Sequence, residues 1–259
     1  MKLHVETSGC GPALVLLHGW GMHSGIWAPL LPELAQRYRV SCIDLPGHGY
    51  SPAPAGACGL EEMAAVVAAS APPGAAWLGW SLGGQLALAA ALAGHDISRL
   101  VLVATTPRFV AAADWPCGMA LATLAGFATS LEQDYRKTLR DFLALQLRGD
   151  RRAATLLKML RGILEERDPP APAALRAGLE ILAGTDLRAR LASLRQPTLV
   201  VAGERDQLTP AEAGRRLCAA LPRGSLLELP GAAHAPFLTH PGDFRAAVAS
   251  FVPGREAAA

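Results

Sequence analysis

Six short apolar runs recur along the chain: Leu14 to Leu17, Val40 to Asp44, Ala76 to Gly79, Leu100 to Ala104, Thr198 to Gly203 and Ser225 to Leu229. Each is bounded by turn-forming residues, and unbroken apolar runs of that length read as strands covered on both faces. Between most of them lie segments of helical length, Ile26 to Tyr38, Leu60 to Ser70, Gln85 to Ala93 and Ala211 to Leu221. Parallel strands need such crossovers, because a tight turn joins only antiparallel neighbours. The fold class is therefore α/β, a mostly parallel central sheet flanked by helices. The alternation lapses between about Pro107 and Leu194, where leucines recur at helical spacing (Leu139, Leu143, Leu147 and Leu156, Leu160, Leu164) and no strand-like run occurs. It resumes after Gln196-Pro197 with a further strand. The pattern predicts a core built from residues 1–107 and 195–259, with residues 108–194 inserted as a helical cap.

Composition narrows the function classes. With 51% hydrophobic and 18% charged residues over 259 positions, the chain can bury a large core and is too apolar for intrinsic disorder. A net charge of +2 supplies no field for gripping a nucleic-acid backbone, so no nucleic-acid role is expected. Cys10, Cys42, Cys58, Cys117 and Cys218 are odd in number, scattered and without a C-x-x-C pair, which predicts neither a disulfide framework nor a metal site. A reducing cytoplasm fits that usage. The start of the chain meets Glu6 before any apolar run, so no export signal is expected. Met63 to Gly94 and Trp115 to Leu131 lack charge but are broken by prolines, glycines and threonines; they are read as buried helices and strands, with no membrane span. A monomer is expected.

Gly79-Trp80-Ser81-Leu82-Gly83 matches G-x-S-x-G between the strand AAWLG and the helix GQLALAAALA, the setting in which that motif exposes a strained serine hydroxyl. Glycines on both sides are required because side chains there would strike neighbouring elements, and the following helix offers unpaired N–H groups to a developing negative charge. A serine hydroxyl needs a base, and the base needs a group to fix its tautomer. Of seven histidines, His234 stands after the last predicted strand and before the last helix, at the same carboxyl edge of the sheet as Ser81. The acid is expected after a strand lying between Ser81 and His234; Asp206 meets that condition, with Glu204 as its rival and Asp186 less well placed, inside the helical insertion. His18-Gly19-Trp20-Gly21 follows the first predicted strand, so the backbone N–H groups of Trp20 and Leu82 are the expected oxyanion hole.

These motifs, with Asp44-Leu-Pro-Gly-His-Gly and the GERDQLTP loop, resemble in order the landmarks of the α/β-hydrolases. More narrowly, HGWG, GWSLGG, Phe142-Leu-Ala-Leu-Gln146, Gly178-Leu-Glu-Ile-Leu182 and Ala232-Ala-His-Ala-Pro-Phe237 resemble the pimeloyl-[acyl-carrier protein] methyl ester esterases of biotin synthesis, over nearly the whole chain. The resemblance implies an α/β-hydrolase fold and a serine carboxylesterase that releases methanol and pimeloyl-[acyl-carrier protein], with no cofactor. It implies substrate contacts at Trp20, Ser81, Leu82, Phe142, Leu143, Ala144, Leu145, Gln146 and His234. It also gives meaning to the stretch from Arg136 to Arg161, where eight basic residues meet two aspartates for a local charge of +6. Lys137, Arg140, Arg148, Arg151, Arg152 and Lys158 are the expected docking residues for the acidic carrier protein and its phosphopantetheine phosphate. Two alternatives stand beside this reading, a general short-chain carboxylesterase without a carrier partner and a catalytically silent binding module.

Overall fold

A computed structural model describes residues 1–259 except 55, 57, 149, 151 and 256–259. Seven strands form one sheet: β1 (Val5–Ser8), β2 (Ala13–Leu17), β3 (Arg39–Ile43), β4 (Ala75–Trp80), β5 (Ile97–Val103), β6 (Thr198–Gly203) and β7 (Gly224–Leu229), in the order β1-β3-β2-β4-β5-β6-β7. All neighbours are parallel except β1 and β3. The period-two geometry of a strand sends alternate side chains to opposite faces. Val15, Leu17, Leu100 and Leu102 accordingly enter one buried cluster, while Leu14, Leu16, Val101 and Val103 enter the other.

The crossovers are α1 (Leu31–Arg37), α2 (Leu60–Ser70), α3 (Leu82–Leu92), then α4 (Leu121–Gln133), α5 (Tyr135–Gln146), α6 (Ala153–Glu165) and α7 (Pro172–Gly184) between β5 and β6. After β6 come α8 (Ala211–Ala220), α9 (Pro236–Thr239) and α10 (Pro241–Phe251). Local chemistry sets several boundaries. Glu62 accepts the Gly59 N–H at 3.0 Å to open α2, and Asp134 accepts the Lys137 N–H at 2.9 Å to open α5. On α5 the buried Leu139, Phe142, Leu143 and Gln146 share one stripe, the face a 3.6-residue period turns toward a core.

Three details differ from the sequence reading. The segment from Ile26 to Tyr38 is not one helix: a 3-10 turn at Ser24–Trp27 is followed by α1 from Leu31. Pro29 removes an N–H that a continuous helix would use, and Pro32 suits a first turn. β1 escapes a search for apolar runs because none of its four residues is fully buried; it is an edge strand. The uncharged stretch to Leu131 is not a buried helix, since only Leu124 and Leu131 of α4 are buried.

β2 and β4 are adjacent, and the chain winds away from them in opposite directions. The crevice outside their carboxyl ends is where an open α/β sheet places its ligand site.

Candidate active site

The pairing of Leu17 with Gly79 brings the loops after β2 and β4 together. Ser81 follows β4 at φ 55°, ψ −117°, a left-handed conformation a non-glycine residue holds only when its surroundings impose it. They do: the Ser81 N–H donates to the Val103 carbonyl at 2.9 Å, and its own carbonyl accepts from Gly84 N, Gln85 N and Thr105 Oγ1 at 3.0, 3.1 and 3.2 Å. A Cβ on Gly83 would lie 2.5 Å from the carbonyl oxygens of Leu17 and His18, and one on Gly79 would strike the backbone of Gly83 and Gly84. The turn therefore closes only with glycine at both positions.

Gly203 and Leu229 are paired across β6 and β7, so the loops after these strands also meet. A Cβ on Gly203 would collide with the carbonyls of Ala232 and Ala233, and Arg205 N donates to Ala232 O at 2.8 Å. This contact seats His234 beside Asp206, with His234 Nδ1 donating to Asp206 Oδ2 at 2.7 Å; their side chains are 1% and 0% exposed. The carboxylate is saturated: Oδ1 accepts the N–H groups of Leu208 and Thr209 at 2.8 and 2.9 Å, and Oδ2 accepts Thr209 Oγ1 at 2.7 Å. With His234 Nδ1–H these make four donors, which occupy both oxygens of the carboxylate and fix its orientation. Glu204 does another task, accepting the Gly231 N–H at 2.6 Å from the exposed side of the loop. Asp186 lies apart, paired with Arg108 and Arg188 at 2.8 and 2.7 Å.

His234 is held from both sides through its backbone: its N–H donates to the Gln146 carbonyl at 3.0 Å and its carbonyl accepts Trp80 Nε1 at 2.8 Å. With Nδ1 committed to Asp206, Nε2 is the basic nitrogen, and it is buried without a hydrogen-bond partner. A buried imidazole nitrogen with no partner is costly in a purely structural histidine. It is what a general base awaiting a proton requires; such bonds commonly tighten only when substrate is bound.

The Trp20 N–H belongs to the same peptide unit as the Gly19 carbonyl. A trans peptide points these two groups in opposite directions, so whatever fixes the Gly19 carbonyl aims the Trp20 N–H. His18 does so. Leu45 N donates to His18 Nε2 at 2.9 Å, which places the ring proton on Nδ1, and Nδ1 donates to Gly19 O at 2.8 Å. Burial pushes the His18 imidazole down to about 3, and the adjacent His48 is pushed down by burial to about 4, so both remain neutral at neutral pH. Leu82 is the first residue of α3, where an N–H has no acceptor within the helix.

The structure places the other expected contacts unevenly. The Trp20 indole donates from Nε1 to the Leu175 carbonyl at 2.9 Å and meets Phe142 edge-on at 4.8 Å. A Cβ on Gly178 would lie 2.5 Å from the indole Cδ1. α5 and α7 are thus locked onto the loop after β2. Phe142, Leu143 and Gln146 are buried, Leu145 is half-buried, and Ala144 is on the exposed face of α5. Lys137, Arg140, Arg148, Arg152 and Lys158 are exposed. Lys137 pairs with Asp141 at 2.6 Å and Arg152 approaches Asp150 at 4.0 Å; Arg151 lies outside the described residues. Thr209, the Gln146 carbonyl and the Leu175 carbonyl complete the arrangement without any motif to announce them.

The two buried histidines carry a stability prediction. A histidine whose native pKa lies below its unfolded value of about 6.5 leaves the unfolded state binding more protons between those values, so stability falls as pH falls through that window. From pH 6.5 toward 4, unfolding free energy should decline by up to about 1.4 kcal/mol per pH unit for each histidine. Urea titrations at several pH values measure this, and a stability independent of pH over that range contradicts it.

The family model of the alpha/beta hydrolase fold matches residues 12–241. The chain is 46% identical over 251 residues to the pimeloyl-[acyl-carrier protein] methyl ester esterase of Xanthomonas oryzae pv. oryzae, covering 96% of this chain and 98% of that protein. It is 46% identical over 244 residues to the enzyme of the same name from Nitrosomonas europaea, covering 94% and 96%. Among solved structures, a hydrolase from Pseudomonas aeruginosa superposes with a TM-score of 0.80 at 29% identity, over 97% of this chain and 94% of that one.

Proposed function

Because the chain belongs to the α/β-hydrolase family and, within it, to the pimeloyl-[acyl-carrier protein] methyl ester esterases, we propose that it hydrolyses the methyl ester of a carrier-bound pimeloyl chain by covalent serine catalysis. The observation that carries this reading is the buried His234–Asp206 pair with Nε2 left open, at the same sheet edge as the strained Ser81. Ser81 Oγ attacks the ester carbonyl as His234 Nε2 takes its proton, and Asp206 holds the imidazole in the required tautomer. The oxyanion accepts the N–H groups of Trp20 and Leu82, each such donor contributing about 3 kcal/mol of transition-state stabilisation. His234 returns the proton to the departing methoxide, releasing methanol. Water then enters, gives its proton to Nε2 and attacks the acyl carbonyl, and His234 passes that proton to Ser81 Oγ as the acyl–oxygen bond breaks and the free acid leaves.

In this reading residues 108–194 form a cap over the crevice. Phe142, packed on Trp20, lines the acyl path, and the exposed basic residues of α5 and α6 receive the acidic carrier. Reversing charge at Arg148, Arg151 and Arg152 should raise KM for carrier-linked substrate and leave a small free ester near its original rate. Added salt should act likewise, since the screening length is about 8 Å at physiological ionic strength. A second set, Lys137, Arg140 and Lys158, is reversed beside the first. Equal effects on both substrates from both sets and from salt would remove the docking role.

We place the reaction in biotin synthesis on the sequence resemblance, in a cytoplasmic monomer. The described structure leaves all five cysteines unpaired, and its exposed large hydrophobics (Met1, Tyr50, Leu121, Leu226) lie on four separate segments. No helix among the described residues is long and apolar enough to cross a membrane. Expression in a biotin-requiring strain that lacks its own carrier esterase tests the proposal: the wild-type chain should restore growth and Ser81→Ala should not. Failure of the folded wild-type chain to rescue would reject the assigned substrate.

A further inference from the structure

Asp44, the first residue of the Asp44-Leu-Pro-Gly-His-Gly motif, follows β3 with its side chain 0% exposed. It clasps the loop after β2 at two points. At the far end of that loop, Asp44 Oδ1 accepts the Ser24 N–H at 2.7 Å. At the near end the contact runs through the peptide unit that Asp44 shares with Leu45. Ser51 Oγ donates to the Asp44 carbonyl at 2.7 Å, and the Leu45 N–H, pointing the opposite way across the same trans peptide, donates to His18 Nε2 at 2.9 Å. His18 Nδ1 in turn fixes the Gly19 carbonyl at 2.8 Å and so aims the Trp20 N–H. The glycine that ends the motif leaves room for the clasp, since a Cβ on Gly49 would strike the Asp44 carboxylate.

The counter-ion to this clasp comes from the inserted helices. Arg167, in the segment between α6 and α7, donates from Nη1 to Asp44 Oδ2 at 2.6 Å and to Ser24 Oγ at 2.9 Å. Its Nη2 reaches Glu6 at 2.7 Å, and the guanidinium stacks on Tyr50 at 4.5 Å. The Arg167 side chain is 8% exposed. A buried carboxylate that loses its counter-ion is left with an uncompensated charge and takes up water or a proton instead; either change loosens the groups bonded to it. The chain is fastened on both sides of Arg167. His23 Nε2 donates to the Ile163 carbonyl at 2.7 Å, and the Ala171 N–H donates to the Gly47 carbonyl at 2.8 Å.

We propose that Arg167 is a positioning residue for the oxyanion hole: it holds Asp44, Asp44 holds Ser24 and His18, and His18 aims the Trp20 N–H. The proposal rests on the serine mechanism given above and adds that the helices inserted between β5 and β6 help to build the hole as well as to cover the crevice. In this role Arg167 meets no reacting atom. Its loss reaches the reaction through stabilisation of the oxyanion and leaves substrate binding unchanged.

Steady-state kinetics on a small aryl ester test this. Arg167→Gln should lower kcat about ten- to a hundredfold, with KM within about twofold of wild type. Arg167→Lys, which keeps a charge beside Asp44, should recover most of the loss, and Glu6→Gln, which removes only the exposed outer partner, should stay near wild type. A trifluoromethyl ketone reports on the hole directly: Ser81 Oγ bonds to its carbonyl carbon, the serine proton passes to His234 Nε2, and the carbonyl π electrons become the lone pair of an oxyanion. Its affinity should fall in Arg167→Gln by the same factor as kcat/KM, while that of the corresponding alcohol, which forms no oxyanion, should not change. If Arg167→Gln does not fold, the double variant Asp44→Asn, Arg167→Gln, which leaves no buried charge unpaired, is measured in its place with the same split expected. Wild-type kcat in the folded variant, or equal weakening of ketone and alcohol, overturns the proposal. Neither probe needs a carrier, so a wild type that hydrolyses the aryl ester and spares the carrier-linked ester rejects the proposed substrate and leaves this test standing.

Discussion

Ser81→Ala should lower turnover by about four to six orders of magnitude and leave the protein folded. The loss is that large because the triad acts as a unit: without the hydroxyl, neither the base nor the oxyanion hole has an attacking group to serve, and only binding and polarisation of the carbonyl remain. The fold should survive because the Ser81 side chain makes no capping hydrogen bond to α3. Its backbone conformation is imposed by hydrogen bonds that alanine retains. Ala104, at the end of the neighbouring strand, already holds φ 46°, so alanine is compatible with such a position. A fluorophosphonate probe should label wild-type Ser81 and leave the variant unmodified. Full activity of the variant, or labelling at another serine, would remove Ser81 from the mechanism.

Asp206→Asn should cost about 10⁴ in kcat, whereas Glu204→Gln should stay within a few-fold of wild type. The two acids are separated by one residue but have different partners. Asp206 Oδ2 accepts the His234 Nδ1 proton, and replacing that oxygen by an amide N–H would invert the bond and turn the proton onto Nε2, where the base must be free. Glu204 accepts the Gly231 N–H instead. Steady-state kinetics of both variants on a small aryl ester distinguish them, and the reverse ranking would transfer the orienting role to Glu204. Thr209→Val should have a smaller effect in the same direction, because it removes one of four donors to the carboxylate.

What could be read from the sequence depended on the range over which each feature is determined. Thr198–Gly203 and Leu60–Ser70 match the read segments residue for residue, since a fully buried strand and a helix opened by a capping glutamate are local in origin. The strand, turn and helix around Ser81 show in the G-x-S-x-G spacing, although only the clash of Gly79 with Gly83 and Gly84 is local; Gly83 is required by the distant carbonyls of Leu17 and His18. β1 was missed because an edge strand has one ladder partner and little burial, so its sequence carries no apolar signature. Pro29 splits the helical segment expected from Ile26 into a 3-10 turn and α1. In α4 absence of charge does not mean burial, because small residues tolerate either side of the surface.

In the candidate site, the positions of Ser81, Asp206 and His234 follow from their places after β4, β6 and β7 of one sheet. What holds them does not. The Gln146 carbonyl reaches His234, and the Leu175 carbonyl reaches Trp20 across 155 positions of sequence. Every residue carries a carbonyl, so sequence alone cannot single out these two. Gly178 is the exception, a glycine within a helix whose absent side chain makes room for the Trp20 indole.

The proposed reaction is cleavage of the methyl ester of a pimeloyl group carried on an acyl-carrier protein. Mass spectrometry of purified carrier bearing that ester, incubated with the protein, tests it most directly. Conversion to the free pimeloyl acid with release of methanol, at a kcat/KM above that for a small aryl ester and lost in Ser81→Ala, is the result expected. An intact carrier-linked ester beside rapid turnover of the aryl ester would contradict it and leave a general carboxylesterase.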